Sequence, residues 1–175
     1  MNALAYDLSS GALYGPGPEG APDEALQDIE TGTIRFVGNG LDRIREDRLR
    51  ALRAVRFAVK TGGHLHPTAV ESIRAAVHQG LLPAPGTLSG ERVRDELLKT
   101  LAFPDGSRGV RLWRETGLLG AFFPDLGLAE TQVQNRHHGD VRVMEHINRT
   151  VEVADVPTAH PVFSGLAEHL GVDNA

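Results

Sequence analysis

The clearest pattern of hydrophobic and polar positions lies between residues 46 and 59. Placed at 100° per residue, Leu49, Leu52, Val55 and Val59 fall on one stripe of a helix, the side that belongs in a core. The other side carries Asp47, Arg50 and Arg53, interleaved with Ala51, Ala54 and Ala58. The surrounding signals extend this helix from Asp42 to Thr61, where Gly62-Gly63 ends it. Pro67 suits the first turn of a second helix, "PTAVESIRAAVHQG", stopped by Gly80. "LLPAPGT" reads as a linker, and Ser89 caps a third helix in "SGERVRDELLKTLAF". "DGSRGVRLWRETGLL" gives a fourth, with Leu118 and Leu119 turning towards "FFPDL". After a loop rich in Gln, Asn and His, "DVRVMEHINRTVEVAD" gives a fifth and "VFSGLAEHLG" a short sixth.

Ahead of the helices the pattern changes. "NALAYDLSSGALYGPGPEGAP" alternates short apolar pieces with Gly, Pro and Ser, predicting a strand, a turn, a second short strand and then a loop. "GTIRFVG" is a further β segment centred on Ile34 to Val37. Pieces this short make no independent sheet, and they read as the edge of a sheet whose remainder lies elsewhere. The expected chain is mainly α, with a small β fragment in front and no internal repeat or heptad.

Composition adds exclusions. At 175 residues and 41% hydrophobic, the chain suits one full domain or two small ones. No cysteine occurs, which removes disulfides and thiolate metal sites and fits a reducing cytosol. Neither a bilayer-spanning apolar run nor a signal-peptide pattern is read, so the expectation is a soluble cytoplasmic protein. The net charge of −5 conceals segregation: 15 of the 18 bases lie between Arg35 and Arg114, against eight acids. That middle is net +7 between two flanks of −6, a distribution that points to a polyanionic partner. Trp113 is assigned to the core.

The arginine helix has two readings. A carboxylate accepts hydrogen bonds and a guanidinium donates them, so Asp47 with Arg50 matches a planar edge bearing an amino group beside a ring nitrogen. Cytosine and adenine present that edge, whereas uracil and guanine place a carbonyl where the amino group should be. Such a pair selects C and A through the cost of leaving polar groups unmatched. Arg53 and Arg56 would then meet phosphates. The plainer reading is intrahelical ion pairing, Glu46 with Arg50 and Asp47 with Arg50, worth a few tenths of a kcal/mol each. Arg56 can equally run along the apolar stripe as a structural residue.

"NALAYD", "IRFVG", "RIREDRLRALRAVRFAVKTG", "SGERVRDELLKTL" and "RGVRLWRETGLLGAFFPDL" resemble, in order, consecutive blocks of the bacterial class II tRNA nucleotidyltransferase (CCA-adding) and poly(A) polymerase family. The resemblance covers Met1 to about Leu126. It implies the C-terminal edge of a nucleotidyltransferase head at 1–40, a helical RNA-binding neck at 41–126 and a partial tail at 127–175. The family's base-selecting Glu-Asp-x-x-Arg falls on Glu46, Asp47 and Arg50, implying that Asp47 and Arg50 template incoming CTP and ATP. Arg53 and Arg56 become triphosphate candidates. Arg92, Arg94, Lys99, Arg108, Arg111 and Arg114 become candidates for contact with tRNA or another RNA 3′ end.

One departure stands out. The family places its metal-holding Asp-x-Asp pair upstream of the block seen here as "NALAYD", and no Asp-x-Asp occurs in these 175 residues. The resemblance therefore implies an N-terminally truncated, inactive piece, with the Mg²⁺ of the full-length enzyme held by residues absent here. "NRHHGDVRVMEHINRTVEVAD" resembles the opening of an HD-type phosphohydrolase tail, with His146 matching a first metal ligand. The expected His-Asp doublet is replaced by Glu168 and His169, so His146 is a weak candidate. His137 and His138 are read as loop residues, solvated or touching RNA phosphate, and His64 and His66 as structural. Two alternatives stay open: a non-catalytic RNA-binding module complementing another chain, and a degenerate HD phosphohydrolase.

Overall fold

A computed structural model describes residues 4–17, 22–83, 86, 88–128 and 143–154. Within them the chain is mainly α, as expected. Two two-residue strands, β1 (Ala5–Tyr6) and β2 (Leu13–Tyr14), pair antiparallel. Asp7 closes their turn, accepting hydrogen bonds from the hydroxyls of Ser10 (2.7 Å) and Ser9 (2.7 Å). Those bonds hold its carboxyl well below the usual range, so the turn is fully favoured above the ordinary aspartate pKa and loses that support progressively as pH falls from there through the lowered value.

The next segment departs from expectation. The stretch between the predicted loop and "GTIRFVG", to which the sequence assigns no element, forms α1 (Asp23–Thr31), ended by Gly32. Only Ala25 of this helix is buried, and Leu26 and Ile29 stay exposed, so no apolar stripe betrays it in the sequence. β3 (Thr33–Ile34) follows and pairs in parallel with β4 (His64–Leu65), a strand the sequence did not suggest.

The predicted helix Asp42–Thr61 is two helices, α2 (Gly40–Glu46) and α3 (Leu49–Thr61). Asp47 breaks it. Its backbone is extended, and its Oδ1 accepts the Leu49 N–H at 3.1 Å, which caps the new helix. The predicted stripe is correct: Leu49, Leu52, Val55 and Val59 are all buried. Ala51, Ala54 and Ala58 are buried too, so α3 packs on a wider face than the wheel suggested.

The remaining helices pack on α3 or on one another. α4 (Pro67–His78) carries Pro67 in its first turn and His66 as its cap, the imidazole Nδ1 accepting the Thr68 N–H at 3.3 Å. α5 (Gly90–Leu101) starts at Ser89, whose hydroxyl accepts the Arg92 N–H at 3.3 Å. α6 (Gly106–Glu115), α7 (Leu118–Phe122) and α8 (Pro124–Leu128) follow, and α9 (Val143–Ala154) packs on α6. α3 lies against α5 and α6, α2 against α4, and α4 against α7. Trp113 is fully buried, flanked by the rings of Phe122 and Phe123 at 5.9 and 6.2 Å. The predicted linker contributes Leu82 to the same core. Ser89→Ala should lower stability by about 1 kcal/mol by removing the α5 cap, read as a shift in the urea midpoint at constant m-value.

Candidate nucleotide and RNA interface

The segment Ile34–Val37, the first turns of α3 and the inner face of α5 enclose an open cleft of about 720 Å³. That lies within the usual range for small-molecule sites. Phe36, Ala54 and Phe57 supply apolar wall, and Arg35, Arg43, Arg50, Arg53, Arg56 and Lys99 supply cations. Glu96 is the acid lining it.

The Asp47 carboxylate and the Arg50 guanidinium form no ion pair with each other; the Arg50 N–H donates to the Asp47 carbonyl at 3.0 Å. Arg50 donates to Glu46 Oε2 at 2.6 Å and to the Arg43 carbonyl at 3.2 Å, so the i,i+4 ion pair weighed from the sequence is formed. The other, Asp47 with Arg50, is replaced by Asp47 Oδ2 to Arg53 Nη1 at 3.3 Å. The two side chains nevertheless stay out of the packed interior, Asp47 32% and Arg50 38% exposed. Arg50 and Arg53 line the cleft, and Asp47 sits beside Arg53. With Oδ1 capping α3 and Oδ2 on Arg53, Asp47 is fixed from both sides while lone pairs remain for an amino donor.

Behind this pair stands a residue the sequence reading passed over. Glu96, 6% exposed, accepts from Arg56 Nε at 2.6 Å and approaches Arg53 Nε at 3.5 Å, spanning about forty residues of chain. A signal was present, because Val93, Glu96 and Thr100 share the buried face of α5 and an acid there needs a partner. Arg56 also stacks over Phe57, its guanidinium carbon 4.3 Å from the ring centre. Arg35 is held by Asp28 at 2.8 Å and by Glu24, both on the unexpected helix α1. Arg43 pairs with Glu46 at 3.1 Å. Five arginines of the cleft are thus matched by five carboxylates, Glu24, Asp28, Glu46, Asp47 and Glu96.

The other predicted contact residues are dispersed. Arg108 donates to the carbonyls of Ala58, at 3.4 Å, and Gly63, tying α6 to the end of α3. Arg111 pairs with Glu152 of α9 at 2.6 Å and with Asp105 at 3.6 Å. Arg94 is exposed and shared between Glu91 and Asp95, while Arg92 and Arg114 lie on the surface. His64 is exposed, with Nε2 3.2 Å from the Thr33 hydroxyl, and His66 caps α4, both structural placements. His137, His138, Glu168 and His169 lie outside the described residues, as does the side chain of His146.

The metal implied by the resemblance finds no fitting donors in this part. Among the described residues no three His, Asp or Glu side chains converge to hold an ion, so no chemical step is drawn through one. Among the described residues, no helix is long and apolar enough to cross a membrane.

The mainly helical scaffold thus sets Asp47, Arg50 and Arg53 beside an arginine-lined cleft. The chain belongs to the bacterial tRNA nucleotidyltransferase and poly(A) polymerase family. Residues 64–128 match a family model described as the probable RNA and SrmB-binding site of polymerase A. The chain is 29% identical over 166 residues to poly(A) polymerase I of Haemophilus influenzae, covering 93% of this chain and 36% of that protein. It is 38% identical over 119 residues to the A-adding tRNA nucleotidyltransferase of Deinococcus radiodurans, covering 66% and 26%. It is 36% identical over 134 residues to the CCA-adding enzyme of Geobacillus stearothermophilus, covering 77% and 30%. The chain spans about a third of the length of these relatives.

Proposed function

We propose that this chain is the base-selecting and RNA-holding part of a template-independent RNA nucleotidyltransferase, one that adds CCA or A residues to RNA 3′ ends in the cytoplasm. Asp47 and Arg50 read the pairing edge of CTP or ATP, and Arg53 and Arg56 face the triphosphate side of the same cleft. Arg92, Arg94 and Arg114 meet RNA backbone on the outer helices. The Mg²⁺-holding carboxylates come from another polypeptide segment, because no Asp-x-Asp occurs in these 175 residues. Within this reading, residues 1–40 are the part that meets that catalytic segment, 41–126 the neck, and 127–175 an HD-like tail.

One observation carries the reading. Asp47, two-thirds covered yet open on one side, has both oxygens anchored, and Arg50 lines a cleft of nucleotide size next to it. Anchoring matters because a base reader must keep its geometry when the wrong base arrives. Uracil would set a carbonyl against the Asp47 carboxylate and leave both groups unmatched, a cost of about 1–3 kcal/mol.

The chain should therefore bind CTP at least several-fold more tightly than UTP, measured by competition against a fluorescent CTP analogue. In Arg50→Ala that preference should fall to near unity. Equal affinity of the unaltered chain for CTP and UTP rejects the base-reading assignment. The alternative of a non-catalytic module acting beside another chain draws on the same missing Asp-x-Asp. It gains if mixing with a catalytic partner never yields nucleotide addition while RNA binding persists.

A further inference from the structure

The cleft's cations look alike in the sequence, but their pairing divides them. Each of its five arginines is held by at least one carboxylate within 4 Å, and five carboxylates serve five guanidinium groups. The arginine-rich wall is therefore close to neutral in sum. Lys99 differs: it lines the same cleft, is exposed, and has no ion pair or hydrogen-bonding partner for its ammonium among the described residues. Among the described residues, the positive charge left over in the cleft is this one ammonium.

We propose that Lys99 anchors a phosphate group in this cleft, an assignment that rests on the nucleotide reading given above and adds its charged contact. Lys99 lies three residues beyond Glu96 on α5, so both project from one side of that helix. Glu96 is bonded to Arg56 of α3, which fixes the base of the Lys99 side chain relative to Arg50 and Arg53 across the cleft. A compact ammonium with three free donors on a flexible stem suits phosphate oxygens, and it breaks no existing pair to meet them. Each arginine would have to loosen a carboxylate first. Phe36 and Phe57 leave apolar wall beside the charge, which keeps that interaction less screened than on open surface.

Phosphate can arrive from two sources, the triphosphate of a nucleotide or the backbone of an RNA end. The chain supplies its own control, because Lys60, its only other lysine, is exposed at the end of α3 and does not line the cleft. Inorganic tripolyphosphate, CTP and a short RNA acceptor hairpin are each titrated against the unaltered chain, Lys99→Gln, Lys99→Arg and Lys60→Gln over a salt series. Lys99→Gln should weaken tripolyphosphate and CTP about tenfold and flatten the dependence of log K on log salt by roughly one phosphate contact. Lys99→Arg should recover most of the affinity, and Lys60→Gln should change nothing.

Weakening confined to the hairpin would support the phosphate anchor and assign its ligand to the RNA backbone. The proposal is overturned if Lys99→Gln leaves all three probes unchanged, if Lys60→Gln weakens them equally, or if the unaltered chain binds none of them. Failure of the base reading looks different: CTP and UTP would bind alike while the Lys99→Gln loss with tripolyphosphate remained.

Discussion

Replacing Glu96 with alanine should cost this protein about 3 kcal/mol, seen as a marked fall in the urea midpoint. The substitution leaves Arg56, only 16% exposed, without the carboxylate 2.6 Å from its Nε. Breaking one side of such a pair costs more than the pair was worth, since the remaining charge keeps its desolvation penalty. Arg53 adds little to the loss, because it is 41% exposed and reaches Glu96 only at 3.5 Å. Glu96→Gln, which retains an acceptor, should fall between. The pair Glu96→Leu with Arg56→Met should recover most of the stability by replacing ions with packed apolar groups. A single-variant loss below about 1 kcal/mol would mean that water already reaches this carboxylate. A functional consequence follows as well: freeing Arg53 loosens one of the two anchors on Asp47.

The arginines of α3 also show how far the sequence could be followed. Within residues 46–57 they have only Glu46 and Asp47 as acids, and this excess suggested bare positive charge awaiting a polyanion. The buried carboxylate that serves Arg53 and Arg56 comes from far along the chain, Glu96 on α5, while Glu24 and Asp28 on α1 hold Arg35 from outside α3 altogether. Charge counted in a window cannot register pairing across such separations. The apolar stripe of α3 was legible because burial repeats with the helical period, and the helix starts at Pro67 and Ser89 were legible because such signals are local; the His66 cap was not read. The break at Asp47 was locally encoded too. An aspartate ahead of "LRALRAV" is a capping signal that the continuous charge pattern obscured. α1 and β4 were hidden for a different reason. Neither has a strong pattern of its own: α1 gains its place against β3, and β4 gains its place against β3 and α3.

That dependence makes Gly63→Ala the second large effect. Gly63 lies between α3 and β4, and a Cβ there would stand 1.9 Å from the Gly32 carbonyl oxygen and 2.9 Å from its carbon. Those atoms are backbone, and the same oxygen accepts the His64 N–H at 2.9 Å, so neither can yield without opening the β3–β4 pair. Overpacking of this kind costs about 3 kcal/mol, at the upper end of its usual range. The neighbouring Gly62 gives the comparison. It has a φ of +65° and nothing within 4 Å of an added Cβ, so alanine there meets only left-handed backbone strain of about 1 kcal/mol. Thermal or urea unfolding of the two variants should therefore rank Gly63→Ala well below Gly62→Ala. Because β3 leads directly into Arg35, Phe36 and Val37, the Gly63 variant should also lose affinity for CTP, whereas Gly62→Ala should keep it. If both variants unfold together and bind alike, the strand pair does not hold the cleft wall in place.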